Sequence, residues 1–192
     1  MKKLLSCCAF FVGLYAQAQD IWNKKADLPG PVRFDAISFV IDSKAYVGTG
    51  SNNSGVFKDF WEYDPVINRW TQKANVGNVG RRAAGAFAVN GKGYVVGGSS
   101  SGGRKDVWEY NPTTDVWLQK MDFPETVVYM NSFTIGTKGY IFVQPNKLYE
   151  YDPTQDTWTR KRDLPVSRGS VASVSIGGKG YIGLGNGYFD TN

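Results

Sequence analysis

Residues 91–120 read GKGYVVGGSSSGGRKDVWEYNPTTDVWLQK, and this stretch decides the fold. Gly91, its first residue, and Asn90 just before it suit a tight hairpin because both residues tolerate positive φ. Asn111-Pro112 inside the stretch starts a second turn. With the apolar run in front of it, the stretch predicts four short antiparallel strands. They are strand a (83–89), strand b (94–98), strand c (107–110) and strand d, which carries Trp117.

The same unit recurs along the whole chain. Tryptophan opens successive repeats at positions 22, 70, 117 and 158, which gives a period of 41–48 residues. A Lys-x-Tyr strand recurs at 44–46, 92–94, 138–140 and 179–181, and an aromatic-Glu-Tyr-Asx-Pro phrase at 61–65, 108–112 and 149–153. Four antiparallel strands at this period describe one blade of a β-propeller. The sequence therefore predicts an all-β chain with three complete four-stranded blades and part of a fourth, forming a partial ring.

From Trp22 to the C-terminus, these phrases resemble the Kelch-repeat family, whose signature combines a glycine pair with later aromatic residues. The second unit has all of it, with Gly97-Gly98 followed by Trp108 and Trp117. The other units depart from the diglycine, at 48–50, 143–144 and 184–185. The resemblance implies a Kelch-type propeller, similar in fold to that of galactose oxidase, with the Trp22 segment closing the ring as a strand d.

The resemblance also implies that the ring is incomplete, because Kelch rings have about six or seven blades. We expect a truncated product or fragment, or alternatively a half-ring that closes by pairing with a second copy. Open blade edges are an association hazard, so self-association through them is a further expectation.

Residues 1–18 have the features of a signal peptide. Met1-Lys2-Lys3 is a basic start, residues 4–15 are apolar, and Ala16-Gln17-Ala18 is a cleavage pattern. The apolar part is shorter than the roughly 20 residues that span a bilayer. We therefore predict cleavage after Ala18, a propeller domain over 19–192, no membrane span in the mature chain, and a secreted, periplasmic or cell-surface location.

Composition excludes several functional classes. The chain has no histidine, which excludes His-based triads and nearly all catalytic zinc and copper sites within these residues. Both cysteines, Cys7 and Cys8, lie in the leader. The net charge of +5 falls to +3 once Lys2 and Lys3 are removed, too weak and diffuse for a nucleic-acid partner. We expect no metal and no cofactor.

The d–a and b–c loops share one face and vary between repeats, which predicts that this face binds ligands. Arginine enters strand a in three units, and Val127 takes its place in the third. Such arginines could clamp a carboxylate, or they could hydrogen-bond loop carbonyls and pair with an acid such as Asp35. The candidate ligand-binding residues are Arg33, Arg81, Arg82, Arg168, Asn52, Asn53 and Arg104.

Two functions remain open from the sequence. The first is an exported non-catalytic binding or scaffolding module for a protein or glycan. The second, implied by the Kelch resemblance, is part of a periplasmic mutarotase for a sugar of the sialic-acid type. That reaction needs a general acid or base, and no catalytic residue is nominated. The recurring glutamates and aromatics are interpreted as structural, and the strand-c aromatics as inter-blade core.

Overall fold

The computed structural model describes residues 22–187, so the predicted leader and its cleavage site lie outside the described residues. These residues form β-strands and no α-helix, and none of their segments is a helix able to cross a membrane. The strands are β1 (Ile37–Ile41), β2 (Lys44–Gly48), β3 (Ser51–Asn52), β4 (Gly55–Val56), β5 (Phe60–Asp64), β6 (Arg69–Lys73), β7 (Gly85–Val89), β8 (Lys92–Val96), β9 (Val107–Asn111), β10 (Val116–Lys120), β11 (Met130–Ile135), β12 (Lys138–Val143), β13 (Lys147–Asp152), β14 (Thr157–Arg160), β15 (Arg168–Gly169), β16 (Ala172–Ile176), β17 (Lys179–Gly183) and β18 (Asn186–Gly187).

Three four-stranded antiparallel sheets confirm the predicted blades. Blade 1 has the order β1-β2-β5-β6, blade 2 has β7-β8-β9-β10, and blade 3 has β11-β12-β13-β14. β16 and β17 pair as strands a and b of blade 4, and two short ribbons, β3-β4 and β15-β18, lie in the loops. The described chain is therefore three complete blades and the first two strands of another.

The strand bounds in blade 2 differ slightly from the prediction. Strand a begins at Gly85 and not at Ala83, because Ala83 has φ 52° and leaves the extended region. Strand b ends at Val96, because Gly97 and Gly98 have φ of 58° and 90°. Positive φ at Asn90 and Gly91 gives the predicted hairpin turn.

The core lies between the blades, where aromatic rings of one blade pack directly against glycines of the next. A Cβ added to Gly93 would lie 2.3 Å from the Phe39 ring, and one added to Gly139 would lie 2.2 Å from Phe87. Gly180 meets Phe133 in the same way. The glycine of the repeated Lys-Gly-Tyr phrase is thus a packing requirement, since each strand-a phenylalanine fills the space beside the next blade.

A second recurring contact fastens each blade to the segment before it. Just before strand d, an Asn or Asp side chain accepts hydrogen bonds from a strand-c tyrosine and from a backbone N–H of the preceding unit. The strand-d tryptophan donates to the carbonyl of that same residue. We call this set a clasp. The clasps are Asn68, Tyr63 and Trp70 on Ala26; Asp115, Tyr110 and Trp117 on Ala74; and Asp156, Tyr151 and Trp158 on Met121.

The blade-1 clasp holds the segment that follows Trp22, at Ala26. Ala26 N donates to Asn68 Oδ1 at 2.8 Å, and Trp70 Nε1 donates to Ala26 O at 3.0 Å. Ala26 stands four residues after Trp22, as Ala74 stands four after Trp70. The segment is held where the end of a strand d is held elsewhere, although Trp22 itself is 97% exposed.

Candidate functional site

The connectivity of the blades separates two faces. The a–b and c–d turns lie on one face, and the d–a and b–c loops lie on the other, which we call the loop face. The turns are regular: the Oδ1 atoms of Asp64, Asn111 and Asp152 each accept a backbone N–H two residues ahead. The loop face carries the predicted ligand-binding residues.

In blade 1, Arg33 forms an internal ion pair on the loop face. Its NH1 and NH2 donate to the two oxygens of Asp59 at 2.6 and 2.7 Å, and NH1 also donates to Thr49 O at 2.9 Å. Trp61 Nε1 donates to the same carboxylate at 2.8 Å. Burial alone would raise the pKa of Asp59, but the hydrogen bonds from Arg33 and Trp61 outweigh it and hold that pKa below its usual value.

Blade 2 repeats this arrangement with deeper burial. Arg81 has no exposed side-chain surface, and it donates to Asp106 at 3.2 and 2.7 Å and to Gly97 O at 3.0 Å. Arg104 and Trp108 donate to the same carboxylate at 3.0 and 2.6 Å. Burial opposes ionisation of Asp106, yet these donors hold its pKa well below the usual range.

These contacts match the structural alternative for Arg33 and Arg81, with a different acid. The expected partner Asp35 lies instead 3.6 Å from Arg82. The actual partners, Asp59 and Asp106, precede a strand-c tryptophan by two residues and are not among the residues predicted from the sequence. Their signal was available, because the Asp-x-Trp phrase repeats at 59–61 and 106–108.

Blade 3 lacks the arginine and reverses the charges. Val127 is buried where Arg33 and Arg81 stand. Glu125, on the d–a loop, accepts from Lys147 Nζ at 2.7 Å and from the hydroxyl of Tyr149. Burial, followed by the bond to Glu125, raises the pKa of Tyr149 to about 12. The acidic residue of the pair, Glu125, is on the d–a loop, and the basic residue, Lys147, begins strand c.

The structure distributes the remaining candidates over separate places. Asn52 and Asn53 join Arg33 in a cleft of about 430 Å³, completed by Val32, Phe34 and Ser54. Arg104 belongs to the ion-pair cluster around Asp106, together with Arg81. Arg168 begins β15, and its backbone N–H donates to Pro145 O at 2.7 Å. Ligand contact by these seven residues stays a prediction.

A second cleft on the inner rim was not anticipated. It measures about 500 Å³ and lies between blade 3 and the start of blade 4. We call it the rim cleft. Its lining residues are Tyr129, Met130, Asn131, Gln144, Ser170 and Val171. Among residues 22–187, by contrast, no group of three or more Asp or Glu side chains is arranged to hold a metal ion.

Comparisons with known proteins agree with this architecture. The family model described as Kelch motif matches residues 80–124, which cover the second blade. The chain is similar to the N-acetylneuraminate epimerases of Shigella sonnei strain Ss046 and Escherichia coli strain K12, with 38% identity over 91 residues in each case. That segment is 44% of this chain and 25% of each relative, so the match spans a quarter of the relatives' length.

A solved structure supports the fold independently. The structure of YjhT superposes with a TM-score of 0.67 at 20% identity, covering 79% of this chain and 58% of that one. The repeated strand phrases, the three blades, the matched motif and this superposition all point the same way. The chain therefore contains a Kelch motif at residues 80–124 and has the fold of a partial Kelch-type β-propeller.

Proposed function

We propose that the protein binds a sugar of the N-acetylneuraminate type and catalyses its epimerisation, with this chain supplying blades of the propeller. The 38% identity over 91 residues to N-acetylneuraminate epimerases carries the proposal. It favours the mutarotase alternative over the non-catalytic module that the sequence alone put first.

An acidic sugar needs a cation on the loop face. Arg33 and Arg81 are committed to Asp59 and Asp106. Arg82 retains more freedom, since its side chain is 37% exposed and its nearest acid oxygen, on Asp35, lies 3.6 Å away. In this proposal Arg82 is the better candidate for the sugar carboxylate.

The test is a mutarotation assay. N-acetylneuraminate released as one anomer by a sialidase is followed by ¹H NMR with and without the full chain. We expect the approach to anomeric equilibrium to accelerate with protein concentration, and Arg82→Ala to weaken the effect. An unchanged rate at every protein concentration contradicts epimerisation.

A non-catalytic binding module is the second candidate. The observation that favours it is the commitment of Arg33 and Arg81 to internal ion pairs. Saturation of the protein by the sugar without any acceleration of anomer exchange would select this function. A protein partner would instead be found by binding assays that show no response to saccharide.

Two further proposals concern location and assembly. Export rests on the pattern at 1–18 and predicts secreted protein that begins at Gln19, read by N-terminal sequencing. Self-association rests on the exposed blade-4 residues Val174, Ile176 and Leu184. Light scattering that finds only monomer over a wide concentration range would contradict it.

A further inference from the structure

Tyr129 occupies a position where the other units have smaller side chains. Asp35, Ala83 and Ser170 stand at the corresponding place before strand a, and all four residues have φ between 52° and 56°. An aromatic residue is disfavoured in this left-handed region. The side chain is not there to fill the core, because Tyr129 is 52% exposed. Unfavourable backbone geometry that supports an exposed ring is typical of binding sites.

Gln144 is a second departure in the same blade. The corresponding residues elsewhere are Gly50, Gly98 and Gly185, each with positive φ. A Cβ at any of the three would lie 2.1–2.8 Å from a backbone carbonyl oxygen of the neighbouring segment. Blade 3 gives up this close approach and introduces an amide side chain. Positions at which one unit departs from the residue type shared by the other units are expected to be functional.

Both departures line the rim cleft. Its volume of about 500 Å³ is within the usual range of small-molecule sites. One phenol ring, two amides and one aliphatic hydroxyl line it, together with Met130 and Val171, and none of the lining residues carries a charge. An aromatic face beside amide groups suits a ligand with both C–H and hydroxyl surface.

The lining is held in place by contacts between units. Tyr129 N donates to Ala83 O of blade 2 at 3.0 Å, and Asn131 Nδ2 donates to Val171 O at 2.8 Å. The cleft is therefore built across three consecutive units and is fixed before a ligand arrives, which lowers the entropy cost of binding.

We propose that the rim cleft binds the uncharged part of a saccharide, with Tyr129 stacking on its C–H face and Gln144 and Asn131 hydrogen-bonding its hydroxyl or amide groups. This inference rests on the proposed function, because it assigns the neutral part of the N-acetylneuraminate molecule to a separate cleft from the carboxylate.

The experiment measures dissociation constants for the full chain by saturation-transfer NMR titration. The probes are N-acetylneuraminate, its methyl ester and the neutral sugar N-acetylmannosamine. Tyr129→Ala and Gln144→Gly restore residues that the repeat already uses at these places, so both variants should fold. Ile67→Ala, on the opposite face, is the control. Loss of one stacked ring should weaken binding about tenfold.

The outcomes separate this inference from the proposed function. We expect both rim variants to weaken binding of the acid and the ester by the same factor, with the control unchanged. If wild type binds the sugars and both rim variants bind equally well, the rim cleft is wrong and the proposed function stands. Binding of N-acetylmannosamine alone, lost in Tyr129→Ala, keeps the cleft and overturns the proposed substrate. No binding of any probe overturns both.

Discussion

Blades 2 and 3 fasten the same loops with opposite chemistry. Blade 2 buries an arginine completely and surrounds its partner Asp106 with donors, whereas blade 3 pairs Glu125 with Lys147 at side-chain exposures of 27% and 33%. In blade 2 the ion pair is buried and holds the loops from inside the structure. In blade 3 a more exposed pair, with the positions of acid and base exchanged, joins the loops, and Tyr129 and Gln144 lie on the inner rim. The repeated blades therefore keep the same strand packing while the charged residues that join their loops differ.

The largest expected effect is the loss of the blade-2 ion pair. Arg81→Ala removes a fully buried cation and leaves Asp106 with only Arg104 and Trp108 as donors. Breaking a buried pair in this way costs about 3–5 kcal/mol in the free energy of unfolding. Chemical denaturation measures it. A variant as stable as wild type but unable to bind sugar would restore the ligand-clamp interpretation of Arg81.

We expect low pH to destabilise the protein partly through protonation of Asp106. Its pKa is lowered in the folded state relative to about 3.9 in the unfolded chain, so its stabilisation is complete above that pH and declines as pH falls below it. Asp106→Asn should cost about 2–3 kcal/mol at neutral pH, with the gap to wild type narrowing below about pH 4. Unfolding free energies measured across pH test this, and a constant gap would contradict it.

A smaller effect is expected at the indole that supports this carboxylate. Trp108→Phe removes the 2.6 Å bond to Asp106 and part of a ring that packs on Gly77. We expect a loss of about 1–2 kcal/mol, measured by thermal and denaturant unfolding. Tyr149→Phe in blade 3 is the matched control, because it removes only a hydroxyl bond to Glu125.

The smallest effect should come from Lys147→Ala. A partly exposed pair contributes about 0.5–1 kcal/mol, so this variant should remain close to wild type. The measurement is the same denaturation series as for Arg81→Ala. A loss equal to that of Arg81→Ala would show that the reversed pair carries as much of the fold as the buried one.

The blades were predictable because their determinants are local and repeated. Glycine, proline and aromatic residues at fixed offsets specify the turns and strands of each unit, and the structure follows them within two residues in blade 2. Asp59 and Asp106 were also legible in the repeat, as the residue two before each strand-c tryptophan. Their pairing with arginine was not evident, because the arginine and the aspartate are 25 or 26 residues apart and meet only in the folded blade.

The rim cleft was not predictable in the same way. Its lining comes from strand a and strand b of blade 3 and from the start of blade 4, which are separated by up to about 40 residues. The hairpin of β11 and β12 pairs Met130 with Val143, so Tyr129 and Gln144 follow from the same register on its open side. The sequence does not show that Ser170 and Val171 complete the cleft, because that depends on the packing of blade 4 against blade 3.

The clasps determine the order in which the blades can gain their contacts while the chain is being synthesised. Ala74 is held by Asp115 and Trp117, which leave the ribosome 41 and 43 residues later, and Met121 waits for Asp156 and Trp158 in the same way. The end of each strand d therefore gains its last fastening only when the following blade has been made. During synthesis, the most recently made strand d therefore lacks its clasp, and the next blade supplies the hydrogen bonds that hold it.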